Sequence, residues 1–354
     1  MEKIFQKITN INLINKPKEE EKTIDDVSIT NVLTDKENIL LSTSNGLIYI
    51  FDKKNLSLKL SKKIISEEYG GDIDSFIKLE NEIFIAFNNL TIVFLKIFLS
   101  QIKIIGYIWN SLKDNTDKIV QIKSNLFIFR INNEYGEYRP ELILIEVDFN
   151  KKGKKHKYLE GEEIDSSILY YYYIISQEHD FSHYQENELI KNFLNLNENE
   201  IVVAFEESGL EFIKIKDNKS FDKKDIKSIR LKNINRFDEI ILFILKENNF
   251  LLCGFKEGLF VIDNSNKTII KKLLTEYVIT TINILLNRNI ILGVKIEENE
   301  EEMINLIEYN LEQEKIIRIK ENISDYELYE IIEIKNGYIL INYQTENVEI
   351  WKQI

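Results

Sequence analysis

A single cysteine, Cys253, excludes any internal disulfide, and its setting in "NNFLLCGF" reads as an inert buried thiol in a reducing compartment. Only two prolines (Pro17, Pro140) and twelve glycines occur in 354 residues, so asparagine must take over most turns, which its tolerance of positive φ allows. Three histidines, His156, His179 and His183, leave a thin repertoire for metal or nucleophilic chemistry. There is no Gly-x-Ser-x-Gly elbow, no Walker-type loop and no Gly-x-Gly-x-x-Gly. Long apolar runs are also missing: "TIVFLKIFLSQIKIIGYIW" is interrupted by Lys96, Gln101 and Lys103 and does not span a bilayer. The start, "MEKIFQKITN", lacks the apolar core of a signal peptide, so a cytoplasmic location is expected. Positive charge is in deficit, 46 basic against 59 acidic residues for a net charge of -13, which argues against general nucleic-acid binding while allowing a local basic patch.

What the chain does contain is a repeated pattern of short apolar runs separated by Asn- and Glu-rich turns. "NILLSTSNGLIYIFDKKN" from Asn38 recurs as "NEIFIAFNNLTIVFLKI" from Asn81, "NLFIFRINNEYGEYRPELILIEVDFN" from Asn125 and "NEIVVAFEESGLEFIKIKDN" from Asn199. It recurs again as "NNFLLCGFKEGLFVIDNSN" from Asn248, "RNIILGVKIEENEEEMINLIEYN" from Arg288 and "NGYILINYQTENVEIWKQI" from Asn336. Each copy follows another alternating run, and most precede a fourth, such as "LSLKLSKKI" or "TIIKKLL". Four strands at a period of about 40 to 45 residues is the pattern of a propeller blade.

The predicted fold is all-β: a seven-bladed β-propeller of four-stranded antiparallel blades in a single domain, residues 1–354. Its blades fall at about 27–66, 72–108, 117–160, 188–232, 236–274, 278–320 and 324–354. Residues 161–187 read as an insertion between blades. The last copy lacks a fourth strand, which residues 2–14 supply if the ring closes by pairing the two ends of the chain. Two stacked sandwiches would share the short strands and polar turns, but predict neither the period nor the missing strand.

In these features the whole chain resembles a divergent WD40-type β-propeller. The turn glycine and following strand of that family are matched by Gly46 with "LIYIFD", Gly209 with "LEFIKI" and Gly258 with "LFVID". Asp52 and Asp263 match the aspartate ending its third strand, and Trp351 its tryptophan. No copy carries the Gly-His pair or an intact Trp-Asp, so the hydrogen-bond network those residues make in the family is expected to be absent. The Gly-Gly of kelch repeats appears once, at Gly70 and Gly71.

Loops carry binding while strands carry fold, so loop chemistry bears on function. On one predicted face lie "INNEYGEYRPE", the 161–187 insertion and "EENEEEM", giving candidate partner-binding residues Tyr135, Tyr138, Tyr171, Tyr173, Glu298 and Glu301. The run "YYYY" (Tyr170–Tyr173) reads equally as a contact surface or as an extra strand. On the opposite face "DFNKKGKKHKY" gives a candidate basic patch of Lys151, Lys152, Lys154, Lys155 and Lys157. "HDFSH" spaces His179 and His183 four apart, but no third metal ligand stands at a defined spacing, and "EENEEEM" lacks the oxygen spacing of a calcium loop. The reading is therefore a non-catalytic interaction scaffold or assembly subunit, without cofactor or metal, whose partners are other proteins. Alternatives are an anionic-lipid or nucleic-acid reader using the lysine face, and an enzyme with a central-channel site. The apolar first strands "FIKL", "IVQI" and "IILFIL" oppose the last.

Overall fold

The computed structural model describes residues 5–12, 27–65, 71–79, 82–88, 91–98, 101–109, 115–123, 126–132, 141–146, 157–159, 162–163, 173–175, 190–205, 209–216, 220–221, 227–229, 241–245, 249–255, 257–298, 301–324, 328–335, 337–343 and 347–353. All regular structure among them is β-strand.

After β1 (Phe5–Asn12), the chain forms one antiparallel sheet after another in sequence order. The first is β2 (Ile29–Thr34), β3 (Asn38–Thr43), β4 (Leu47–Asp52) and β5 (Leu58–Lys63). The second is β6 (Ser75–Lys78), β7 (Ile83–Phe87), β8 (Thr91–Phe98) and β9 (Gln101–Trp109). Next come β10 (Asn115–Lys123), β11 (Leu126–Asn132) and β12 (Glu141–Glu146), then a separate pair, β13 (Lys157–Leu159) with β14 (Glu162–Glu163), and then β15 (Tyr173–Ile175). A five-stranded sheet holds β16 (Ile190–Asn197), β17 (Glu200–Phe205), β18 (Gly209–Lys216), β19 (Ser220–Phe221) and β20 (Lys227–Ile229). Two further sheets are β21 (Ile241–Leu245), β22 (Phe250–Phe255), β23 (Gly258–Asp263) and β24 (Thr268–Leu273), then β25 (Val278–Ile284), β26 (Ile290–Glu298), β27 (Glu301–Asn310) and β28 (Lys315–Ser324). The last sheet joins β29 (Glu330–Lys335), β30 (Tyr338–Asn342) and β31 (Asn347–Gln353) to β1 in the order β1-β31-β30-β29.

Two expectations need correction. Among the described residues there are six four-stranded sheets instead of seven, with one five-stranded and one two-stranded sheet. The difference arises at β18, whose edge is paired by two short strands, β19 at Ile215 and Lys216 and β20 from Leu210 to Phe212. The second concerns residues 161–187, read as an insertion: β15 lies inside that span and is the outer strand of the β10–β12 sheet, with Tyr173 opposite Glu146 and Ile175 opposite Leu144. The "YII" of that strand offers the β-branched and aromatic residues a strand favours.

The described chain divides into two compact units, Met1–Ile39 with Lys232–Ile354, and Leu40–Leu231. In the first, the β25–β28 sheet is packed on both faces. Ile290, Leu292, Val294, Ile307 and Tyr309 join Leu252, Leu259 and Val261 of the preceding sheet. Ile291, Ile304 and Leu306 join Ile331, Ile339, Ile341, Trp351 and Phe5 of the following one. Neighbours in sequence point to opposite faces, so covering both faces demands an unbroken apolar run in place of simple alternation. Each fully buried Ile or Leu contributes about 1.5–3 kcal/mol relative to exposure. In the second unit Ile122, Leu126, Ile128 and Leu142 pack against Phe193, Ile201, Val203, Ile213 and Ile215 in the same way.

The first strands of neighbouring sheets are also tied by side chains reaching the other strand's backbone. Asn195 Nδ2 donates to the Gln121 carbonyl at 3.0 Å in the second unit. In the first, the Asn283 amide donates to the Ile331 carbonyl and the Leu286 N–H donates to the Glu333 carboxylate, whose other oxygen accepts the Gly337 N–H at 3.1 Å.

Candidate interaction surface

With both sheet faces occupied, recognition falls to turns and hairpin ends, and these are held by a recurring frame. Gly46, Gly209 and Gly258 open the third strand of their sheets at φ +79°, +95° and +103°, the left-handed region that favours glycine. A Cβ on Gly258 would also lie 2.5 Å from the Leu273 carbonyl oxygen and 2.6 Å from that of Leu274. The same third strands end on a capping side chain. Asp52 Oδ1 accepts the N–H groups of Lys54 (2.8 Å) and Asn55 (3.2 Å), and Asp263 Oδ1 those of Ser265 (2.7 Å) and Asn266 (3.4 Å). Hydrogen bonding holds both carboxyls below the usual aspartate range, led by Lys59 for Asp52 and by the Ser265 N–H for Asp263. Asn310 does the same work in β27, its Oδ1 accepting the Gln313 N–H at 2.7 Å. Four residues after each cap, Leu56, Lys267 and Glu314 take positive φ. Sequence comparison with an aspartate pattern missed Asn310, although asparagine accepts in the same place.

The β26–β27 hairpin stands out from this frame. It has nine opposed positions in unbroken register where β22–β23 has six, so it reaches about 10 Å further at the rise of a β-strand. The added positions set Glu297 opposite Glu302 and Glu298 opposite Glu301. At its other end the hairpin is anchored by a buried polar network. Glu308, with no exposed area, is ion-paired to Arg318 and accepts from Asn289 Nδ2 at 2.6 Å and Asn287 Nδ2 at 3.2 Å, while Asn310 Nδ2 donates to Asn289 Oδ1 at 2.8 Å. A buried carboxylate is tolerable only when its oxygens are satisfied in this way.

Other predicted residues are distributed less simply. Glu298 and Glu301 close the β26–β27 hairpin, Tyr173 opens β15, and Lys157 stands in β13 opposite Glu163 of β14. Tyr135, Tyr138, Tyr171, Lys151, Lys152, Lys154 and Lys155 lie outside the described residues, as do His179 and His183. Among the described residues no group of three His, Cys, Asp or Glu is placed to hold a metal, and no helix is long and apolar enough to cross a membrane. Cys253 is fully buried, and desolvation pushes its thiol far above the ordinary range, so it is no thiolate nucleophile.

Sequence reasoning passed over a second set of polar residues, around the last sheet. Glu349 accepts from Trp351 Nε1 at 2.8 Å and from Tyr343 Oη at 3.1 Å and is ion-paired to Lys7 of β1. Burial, and then the Glu349 carboxylate, push the Tyr343 hydroxyl well up. Trp351, picked out from the sequence, thus has its indole N–H satisfied by a carboxylate two residues earlier in the same strand.

No family model and no curated protein matches the sequence. Solved structures do. The WD40 β-propeller domain of Doa1 is matched over 99% of this chain and 97% of its own, at 11% identity and a TM-score of 0.57. The Pan2 WD40 domain of Neurospora crassa is matched over 98% of this chain and 95% of its own, at 9% identity and a TM-score of 0.60. The β-propeller domain of Cps50 (Swd1) from Myceliophteria thermophila is matched over 94% of this chain and 99% of its own, at 10% identity and a TM-score of 0.59. At these identities the likeness is one of fold: the chain has the β-propeller fold of antiparallel sheets that those WD40 domains have.

Proposed function

We propose that this propeller is a non-catalytic docking platform within a protein assembly and that the β26–β27 hairpin is one of its contact elements. The observation that carries the reading is the hairpin's extension beyond its neighbour in a register that opposes Glu297 to Glu302 and Glu298 to Glu301. Like charges at opposed positions weaken a ladder, so the fold gains nothing from them, whereas a basic partner surface would neutralise them. The likeness to WD40 domains supports a scaffold role by analogy of fold. We further infer that the five-stranded β16–β20 sheet serves as a seventh blade and that the pairing of β1 with β31 closes the ring.

The test is affinity capture with quantitative mass spectrometry on the natural chain and on a variant with Glu297, Glu298, Glu301 and Glu302 changed to Lys. Partners that bind through this hairpin should be lost from the variant, and their capture from the natural chain should weaken as salt rises. An unchanged set of partners, with the variant folded, would remove the hairpin from the contact surface.

A further inference from the structure

One rung of the last sheet is built to hold a strand of a different sheet. Glu330 of β29 stands opposite Asn342 of β30, and both side chains reach β2. Glu330 Oε2 accepts the Val32 N–H at 2.9 Å, and Asn342 Nδ2 donates to the Ile29 carbonyl at 3.4 Å. Ile29, Val32 and Asn342 have no exposed area, so these two hydrogen bonds reach groups that water does not. Asn342 is neutral at every pH of interest. Glu330 is not.

We propose that Glu330 is a proton-dependent clasp between β29 and β2, closed while the carboxyl is protonated and loosened when it ionises. The charged form is poorly compensated. β2 (ITNVLT) and β25 (VITTINI), both packed against β29, contain no Asp, Glu, Lys, Arg or His, and β30 (YILIN) offers only Tyr338 at its far end. β26 contributes Lys295, which is opposite Val278 at the start of β25, and the hairpin-end Glu297 and Glu298. On β29 itself Glu333 is engaged by the Leu286 and Gly337 N–H groups, and the Lys335 ammonium lies over the Tyr338 ring at 4.3 Å. Among the described residues no cation pairs with Glu330. Desolvation therefore pushes its carboxyl up to about 7, with the Val32 N–H pulling weakly the other way.

The sign follows from linkage. The folded value, about 7, lies above the ordinary 4.5, so folding favours the protonated form. The clasp's contribution is complete below about pH 4.5 and is lost progressively as pH rises through about 7. A protonated carboxyl still presents its carbonyl oxygen to the Val32 N–H. An ionised one keeps that bond but holds its charge in a half-buried site with one neutral donor.

Amide hydrogen exchange of the full chain tests this, following peptides that cover Ile29–Thr34 at about pH 6 and about pH 8 after correction for intrinsic rates. Protection of β2 is expected to fall about tenfold or more across that interval, with β22–β23 of the same unit as the unmoved reference. Glu330→Gln keeps an acceptor for Val32 and cannot ionise, so its β2 protection should not change with pH. β2 protection that is independent of pH in the natural chain, or a fall that persists in Glu330→Gln, would overturn the proposal. If Glu330→Gln does not fold, carbon NMR titration of Glu330 in the natural chain decides: a midpoint near the ordinary glutamate value sinks the clasp.

Discussion

At the scale of single residues, two glycines that look alike in sequence do different work. Gly258 and Gly337 both have positive φ, but a Cβ on Gly258 would collide with two backbone carbonyls, whereas one on Gly337 would meet nothing within 4 Å. Gly337→Ala is expected to cost about 1 kcal/mol, the ordinary charge for a left-handed alanine. Gly258→Ala adds displacement of the strand exit at Leu273 and Leu274 and should cost roughly 3 kcal/mol. Urea unfolding of the two variants separates them. Equal losses would mean that the backbone at Leu273 yields freely. The glycine positions were legible because a turn between apolar runs needs positive φ. The different cost was not, because the colliding carbonyls belong to another strand.

At the scale of elements, regularity and irregularity are distributed by position in the sheet. Second and third strands pair without a register shift in β7–β8, β11–β12, β17–β18, β22–β23, β26–β27 and β30–β31. Shifts fall on both sides of them, in the first-with-second pairings β10–β11, β16–β17, β25–β26 and β29–β30 and in the outer pairings β4–β5, β8–β9, β23–β24, β27–β28 and β1–β31. An outer strand has one unpaired edge, and bulges together with lysines, as in "LKLSKK" and "TIIKKL", discourage another chain from pairing there. β31 lacks this protection, being covered by β1 from Phe5 opposite Gln353 to Asn12 opposite Asn347. Deleting residues 2–14 removes buried Phe5 and Ile11 as well as the ladder, so it should lower the thermal midpoint and promote aggregation through β31. A truncated protein that stays monomeric and melts at the full-length temperature would show that β1 is dispensable.

At the scale of the whole molecule, charge sets how stability varies with pH. Asp52 and Asp263 have carboxyls held low, so their stabilisation is present above the ordinary aspartate range and is lost as pH falls below it. Glu330 works in the other direction, with stability lost as pH rises from about 4.5 through about 7. Self-repulsion at a net charge of -13 adds to the loss on the neutral side. Stability should therefore peak at mildly acidic pH, about 4 to 5, and urea midpoints measured from about pH 3 to about pH 8 check it. A maximum at neutral pH would contradict these assignments.

What the sequence determined by itself is whatever depends on near neighbours. The pattern of apolar runs and asparagine turns specified strands and hairpins, the turn glycines specified positive φ, and Asp52 and Asp263 specified caps, since each acts within a few residues of its own position. Tertiary structure decided whatever depends on residues distant in the chain. The outer strand of the β10–β12 sheet comes from residues 173–175 because strand partners are chosen by shape and burial as well as by nearness in sequence. Glu330 looks like an ordinary polar position in "YEIIEIK", and only the arrival of Val32, 298 residues earlier, gives its carboxyl a donor and a task. Desolvation is a property of what surrounds a group, and no local pattern records it.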